Sequence, residues 1–269
     1  MLVSKLVILS VLGAAIVASV RFLVVPGIGS VAKYLKLSAK ARGQMLGYAT
    51  SMPELVIIVA SAAAGVFDAG FWNIASSNII NWILFMAAVL FWGQFKDLKK
   101  RPFRDELLFG GISVALPLFL FAVNVQGSVY LAGGLVAFFV FYKILDRRWN
   151  GFSRDTSDGS SVTGGGLSGF LKLFFGLLII VVCGWKLGSV AEELILTLGI
   201  ASWIIGWILG FVSSIPEMSG FFEVYRKHHR EDNLKGVRDT QEVLDSLVAS
   251  NMGNLCLILP LGILVMVLL

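Results

Sequence analysis

Charge is scarce in this sequence. Only 14% of its 269 residues are Asp, Glu, Lys or Arg, against about a quarter in ordinary soluble domains, while 57% are hydrophobic. With a mean hydropathy of +0.84, a water-soluble globular fold is excluded, and no stretch is polar enough to form a separate soluble domain. Cysteine is nearly absent too. Cys183 and Cys256 both sit in apolar runs, where a thiol behaves as a small hydrophobe, so neither a disulfide nor a cysteine metal framework is expected. The only histidines, His228 and His229, stand side by side in a charged cluster, which reads as a solvated face. No His-containing metal motif and no nucleophile with a base occurs in the apolar runs, so the chain is not expected to be an enzyme or to carry a cofactor.

Long apolar runs take the place of these features. Eight are long enough to cross a bilayer, near residues 3–25, 43–65, 70–92, 106–125, 128–145, 168–185, 193–222 and 241–269. They are continuously apolar with embedded glycine rather than alternating, which predicts helices and not a barrel. The first run lacks a small-residue cleavage site before a polar stretch, so it reads as a span rather than a removed signal. With loops assigned to alternate sides, all of the 22 Lys and Arg residues except Lys5 and Lys186 fall on one side. That side is cytoplasmic by the positive-inside rule, placing the N-terminus outside and the chain in a plasma (inner) membrane. The net charge of +5 therefore belongs to loops facing anionic lipid, and no nucleic-acid partner is expected.

Residues 150–167, rich in Gly and Ser, form a linker between a five-span unit, 1–149, and a three-span unit, 168–269. The two units repeat one another. Ala49-Thr50-Ser51-Met52-Pro53-Glu54 is answered 163 residues later by Val212-Ser213-Ser214-Ile215-Pro216-Glu217. Ser77-Asn78-Ile79-Ile80-Asn81 is answered 173 residues later by Ser250-Asn251-Met252-Gly253-Asn254, the extra ten residues being a charged insertion within 225–239. Five spans precede the second unit, so it enters the membrane from the opposite side and the repeats are predicted to be inverted.

A proline in mid-span removes a backbone donor and frees carbonyls, predicting broken helices. Glu54 and Glu217 are carboxylates at membrane depth, where a lone charge costs several kcal/mol and demands a cation, a proton or a polar cavity. The hydroxyls of Thr50, Ser51, Ser213 and Ser214 lie one helical turn before them, although such hydroxyls can also simply bond back to the previous turn. Asn78, Asn81, Asn251 and Asn254 add amide oxygens. An all-oxygen set of this kind suits a hard ion such as Na⁺ or Ca²⁺.

At these residues the chain resembles the calcium/cation antiporter superfamily, of the sodium/calcium exchanger type, whose two repeats read roughly G-T-S-x-P-E and then G-N-x-x-G-S-N-x-x-[DN]. The resemblance implies an all-α integral membrane fold of inverted repeats, with ten helices in the family pattern against about eight here. It implies that Glu54 and Glu217 are the central ligands, that Thr50, Ser51, Ser213 and Ser214 complete the ion sites, and that Asn81 and Asn254 hold the following acid-or-amide position. It further implies alternating access by movement of the first and sixth helices. Ca²⁺ exchanged for Na⁺ is the expected activity. Exchange of Ca²⁺ or another divalent ion for H⁺ is the alternative, because a buried carboxyl can carry a proton as readily. A channel or a non-transporting ion sensor is a further alternative.

Three other expectations concern the remaining acids and the C-terminus. Asp68 and the pair Asp105-Glu106 read as solvated or helix-start residues, and Asp245 as a helix-start acid bordering the ion path. The second unit is about two helices shorter than the first and stops inside an apolar run, so a truncated product, a partner subunit or self-association covering it is expected.

Overall fold

A computed structural model describes residues 2–99, 103–123, 127–150, 166–230 and 238–269. Most of these residues are helical: α1 Leu2–Ser19, α2 Val25–Tyr34, α3 Ala39–Thr50, α4 Met52–Ala63, α5 Phe67–Phe91, α6 Arg104–Ala122, α7 Val129–Asn150, α8 Gly166–Leu198, α9 Ser202–Arg230, α10 Arg238–Gly253 and α11 Leu259–Leu268. Among the described residues, eight helical segments are long and apolar enough to cross a membrane. The chain is a multi-pass integral membrane protein. Most of the Gly/Ser linker, residues 151–165, and part of the charged insertion, residues 231–237, lie outside the described residues.

The first span runs further than its apolar pattern suggests. It continues to Tyr34 through a π-helical turn at Val20–Val24, and because Val24 and Val25 keep helical backbone (φ −69° and −60°), Pro26 stands inside a continuous helix just past the turn where the hydrogen-bond register shifts. Arg21 consequently lies inside the span and not in the following loop.

The two proline breaks are unequal. In the first repeat Ser38 caps α3 by accepting from Ala41 N at 3.2 Å, and Ser51 (φ −81°, ψ 0°) separates α3 from α4. The interruption is one residue wide, because Ser51 N still donates to Gly47 O and Leu55 N to Ser51 O, each at 3.2 Å. In the second repeat α9 passes through Pro216 as one helix, so this expected break is only a lost hydrogen bond within a continuous helix. The irregularity lies instead one helix later, in a π-helical turn at Asn254–Ile258.

Each proline helix packs against the asparagine helix of the other repeat. A Gly-x-x-x-Gly pair makes both approaches: Gly43 and Gly47 face α10, and Gly206 and Gly210 face α5. A Cβ at Gly47 would stand 2.2 Å from Ser246 O, and one at Gly210 would stand 2.0 Å from Ser76 Oγ and 2.9 Å from Asn73 O. Gly47→Ala and Gly210→Ala are therefore expected to push the helices apart at a cost of about 1–3 kcal/mol each. Thermal unfolding in detergent checks this, with Gly111→Ala, which meets nothing within 4 Å, as the neutral control. Equal midpoints for all three variants would show that the helices are not held at these glycines. The first and sixth spans are also closely joined, Ser19 Oγ donating to Gly176 O at 2.8 Å.

The ends of this core differ in chemistry. On the side of the basic loops, Lys40 lies among three carboxylates from three helices: Asp146, Glu106 at 3.3 Å and Asp245 at 3.9 Å. Asp105 and Glu106 are buried, at 9% and 5% exposure, rather than solvated; Lys40 from a distant helix supplies a counter-charge to Glu106, and Asp105 lies in hydrogen-bond contact with Glu106. Asp245 likewise turns to Lys40. At the position that answers Asp245 in the first repeat stands Trp72, packed edge-on against Phe121 with ring centroids 4.6 Å apart. Asp68 is exposed in the first turn of α5, as a helix-start acid should be.

Candidate cation site

All ten residues singled out above have side chains essentially inaccessible to solvent, none more than 1% exposed. Those in the first repeat come from α3, the Ser51 link, α4 and α5, and those in the second from α9, α10 and the π-helical turn that opens at Asn254. Two serines link the carboxyls to the asparagines. Ser77 Oγ donates to Glu54 Oε1 at 3.0 Å and Ser250 Oγ to Glu217 Oε1 at 3.2 Å. Ser77 in turn accepts from Asn254 Nδ2 at 3.4 Å, and Ser250 from Asn81 Nδ2 at 3.5 Å. Each bond has its counterpart at the repeat spacing.

The asparagines divide into two jobs. Asn78 Nδ2 donates to Asn251 O at 3.2 Å and to Ser113 O at 2.9 Å, while Asn251 Nδ2 donates to Asn78 O at 3.1 Å. With their NH₂ groups fixed on carbonyls, which can only accept, these two amides must turn Oδ1 toward the neighbouring asparagines. Asn81 therefore presents its NH₂ to Asn251 Oδ1 at 3.1 Å, and Asn254 its NH₂ to Asn78 Oδ1 at 3.0 Å. The oxygens of Asn81 and Asn254 are left over. Four buried oxygens, Glu54 Oε2, Glu217 Oε2, Asn81 Oδ1 and Asn254 Oδ1, accordingly have no hydrogen-bond donor. Neither glutamate has an ion-pair partner among the described residues.

The hydroxyls mostly bond locally. Thr50 Oγ1 lies 3.0 Å from Leu46 O and 3.1 Å from Gly47 O, and Ser51 Oγ lies 2.9 Å from Gly47 O and 2.8 Å from Ser250 Oγ. Ser213 Oγ lies 3.3 Å from Gly210 O and 3.2 Å from Asn73 Oδ1, and Ser214 Oγ lies 3.5 Å from Ser77 O. They stiffen the break and tie one repeat to the other. Nine of the ten residues thus belong to one contiguous hydrogen-bonded network, with Ser213 bonded beside it to Asn73, and the surplus among the ten is of acceptors. Such a surplus in a water-poor interior is costly unless a cation or protons satisfy it.

Sequence reasoning left Ser77 and Ser250 without a role, although they stand beside Asn78 and Asn251 in the repeated motif and are the serines that donate to the glutamates. It also passed over the Gly-x-x-x-Gly pairs, whose second glycine precedes each Glu by seven residues. Small residues at that spacing in an apolar segment were the available signal. His229 stands apart, exposed, with its ring 5.4 Å from that of Trp92.

Residues 5–145 and 168–268 match the family described as sodium/calcium exchanger protein. No curated protein matches the sequence. Among solved structures, the fold is similar to that of the sodium-calcium exchanger NCX_Mj. The form soaked with 10 mM Na⁺ and zero Ca²⁺ has a TM-score of 0.62 at 20% identity, over 99% of this chain and 84% of that one. The form soaked with 2.5 mM Na⁺ and 10 mM Sr²⁺ has a TM-score of 0.60 at 19% identity, with the same coverage of both chains. The H⁺/Ca²⁺ exchanger CAX has a TM-score of 0.66 at 14% identity, over 98% of this chain and 68% of that one.

Proposed function

The chain belongs to the sodium/calcium exchanger family, and on that premise we propose that it is a secondary active antiporter that exchanges Ca²⁺ for Na⁺ by alternating access. The family is one of ion exchangers, so the chain's chemistry is transport and not covalent catalysis. The observation that carries the reading is the set of four buried oxygens, two from carboxylates and two from amides, paired across the repeats and lacking donors. Hard cations take such ligands, and two carboxylates match the charge of one Ca²⁺. Glu54, Glu217, Asn81 and Asn254 are the direct ligands in this scheme, while Asn78 and Asn251 orient the other two amides. Ser77 and Ser250 hold one oxygen of each carboxylate. Thr50, Ser51, Ser213 and Ser214 supply the remaining oxygens as the site changes occupancy.

The units 1–149 and 168–269 are inverted repeats on this reading, with the basic loops in the cytoplasm of a cell bounded by the plasma (inner) membrane. The first and sixth spans, joined at Ser19 and Gly176, move as a pair against the core that holds the site. Neither the ligand nor the coupling ion requires a resident cofactor.

Protons satisfy the same two carboxyls without any change in the asparagine network, so Ca²⁺/H⁺ exchange is the second reading. Purified protein in sealed vesicles separates the two. Isotopic Ca²⁺ uptake is expected when an outward Na⁺ gradient is imposed at equal pH, and not when a pH gradient is imposed without Na⁺. The reverse pattern establishes the second reading, and Ca²⁺ flux that neither saturates nor shows counterflow would point to a channel and overturn both.

A further inference from the structure

Pro53 and Pro216 carry the repeated motif, but a third proline, Pro117, lies buried in the interior of α6 and outside that motif. Having no N–H, it leaves Ser113 O, four residues earlier, without its regular helical donor. A carbonyl freed at membrane depth needs another partner. Its partner comes from the candidate site. Asn78 Nδ2 donates to Ser113 O at 2.9 Å, the shorter of the two bonds this amide makes to carbonyls, the other being to Asn251 O at 3.2 Å. Ser113 and Asn78 are both inaccessible to solvent, so no water takes the place of either partner.

The orientation of Asn78 is passed on to its neighbour. With its NH₂ held by carbonyls, Asn78 gives Oδ1 to Asn254 Nδ2 at 3.0 Å, and Asn254 is left with Oδ1 as its donor-free end. Inverting Asn254 would require inverting Asn78, which would set Asn78 Oδ1 against two carbonyl oxygens. The second repeat has no matching clamp. Among the described residues Asn251 Nδ2 donates to Asn78 O alone, at 3.1 Å, so inverting Asn251 together with Asn81 sets an oxygen against one carbonyl. Of the two amides with donor-free oxygens, Asn254 is thus held more firmly than Asn81.

We propose that Pro117 is a positioning residue for the cation site: by withholding an N–H it reserves Ser113 O for Asn78, and so sets which end of the Asn254 amide faces the ion. Pro117 touches no ion in this scheme and acts through two asparagines in turn. A second bond between the same helices, Trp82 Nε1 to Gly110 O at 2.9 Å, lies one turn away along each and ends on none of the ten site residues, so it joins α5 to α6 without orienting a ligand. The clamp on Asn78 stands on the geometry alone, whereas its bearing on the ion rests on the antiport reading.

Two measurements on the full chain in detergent separate these levels: equilibrium dialysis with isotopic Ca²⁺, and thermal melting without Ca²⁺ or Na⁺. Pro117→Ala supplies an N–H that competes for Ser113 O. Its Ca²⁺ affinity is expected to fall about five-fold, the factor that about 1 kcal/mol for one hydrogen bond represents. Trp82→Phe, which removes the other bond between α5 and α6, is expected to lower the melting midpoint and leave Ca²⁺ affinity unchanged. The loss caused by Pro117→Ala should vanish when Asn254→Ser is also present and persist beside Asn81→Ser, each serine keeping an oxygen on the side chain. In the ion-free melts Pro117→Ala and Asn78→Ala should be non-additive, because both act on one bond. The serine pair leaves Asn78 in place and so decides the matter even if Asn78→Ala does not fold. Unchanged affinity in Pro117→Ala overturns the proposal, as does an equal loss beside both serines. Additive melting shifts overturn the clamp itself, whichever ion binds. Wild-type protein that binds no Ca²⁺ would defeat the antiport reading and the role at the ion together, and the melts would still judge the clamp.

Discussion

Glu54→Gln and Glu217→Gln are each expected to reduce Ca²⁺ exchange to background while leaving the helix bundle assembled. Glutamine keeps the length and shape of glutamate, and its Oε1 can still accept from Ser77 or Ser250 at the distances the glutamates use, 3.0 and 3.2 Å. What changes is the other end of the group. An oxygen without a donor becomes an NH₂, which presents hydrogens to the cation, and one of two negative charges disappears from an interior where charge is poorly screened. A loss of only about 3 kcal/mol in ion binding is already more than a hundred-fold in affinity. Folding moves in the opposite direction, because burying a neutral amide costs less than burying a carboxylate. The measurement is isotopic Ca²⁺ uptake into Na⁺-loaded vesicles with the amount of folded protein matched by thermal melting. The equivalence of the two repeats predicts nearly equal losses for the two variants. Wild-type uptake by either one removes that carboxylate from the ligand set and makes its repeat structural.

The candidate site was legible because its ingredients have few other places in lipid. A proline next to a glutamate, followed by Ser-Asn-x-x-Asn, is hard to explain once at membrane depth and harder to explain twice, so Glu54, Glu217 and the four asparagines stand out from composition alone. Which oxygen of each pair is left without a donor was not legible. That division depends on Asn78 and Asn251 each reaching the backbone carbonyl of the other at a separation of 173 residues, a contact no local pattern encodes. The same limit explains Asp105 and Glu106. Next to a loop they read as solvated, and the arrival of Lys40 from another helix, which gives the buried Glu106 its counter-charge, is written in no local pattern. The end of the first span was missed for a local reason instead. Pro26 looks like a terminator, yet the helix runs on through it just past the π-helical turn at Val20–Val24, an irregularity that the apolar pattern does not announce.

Exchange is further expected to be nearly independent of membrane potential. The family pattern allows an acid after Ser-Asn-x-x, but both positions here are amides, Asn81 and Asn254, and Asp245 is turned away to Lys40. The proposed site therefore holds two negative charges. One Ca²⁺ balances them and so do two monovalent cations, while a third would leave an uncompensated charge in a low-dielectric site at a cost of several kcal/mol. Two monovalent ions per Ca²⁺ move no net charge. Moving one full charge per cycle would instead bias transport by about 2.3 kcal/mol per 100 mV. Potentials of either sign, set on vesicles with K⁺ and valinomycin, should leave the initial Ca²⁺ flux unchanged, and a several-fold response would rule out the electroneutral scheme. Asn254→Asp tests the same arithmetic from the other side. The new carboxylate would replace a donor that now lies 3.0 Å from Asn78 Oδ1, and Asn78 cannot turn its own NH₂ toward it because that group is held by two carbonyls. The added charge must then be covered by a third monovalent cation in one half of the cycle and remain partly uncovered beside Ca²⁺ in the other. Flux in this variant is expected to become potential-dependent with weaker Ca²⁺ binding; unchanged coupling and affinity would place Asn254 outside the ion site.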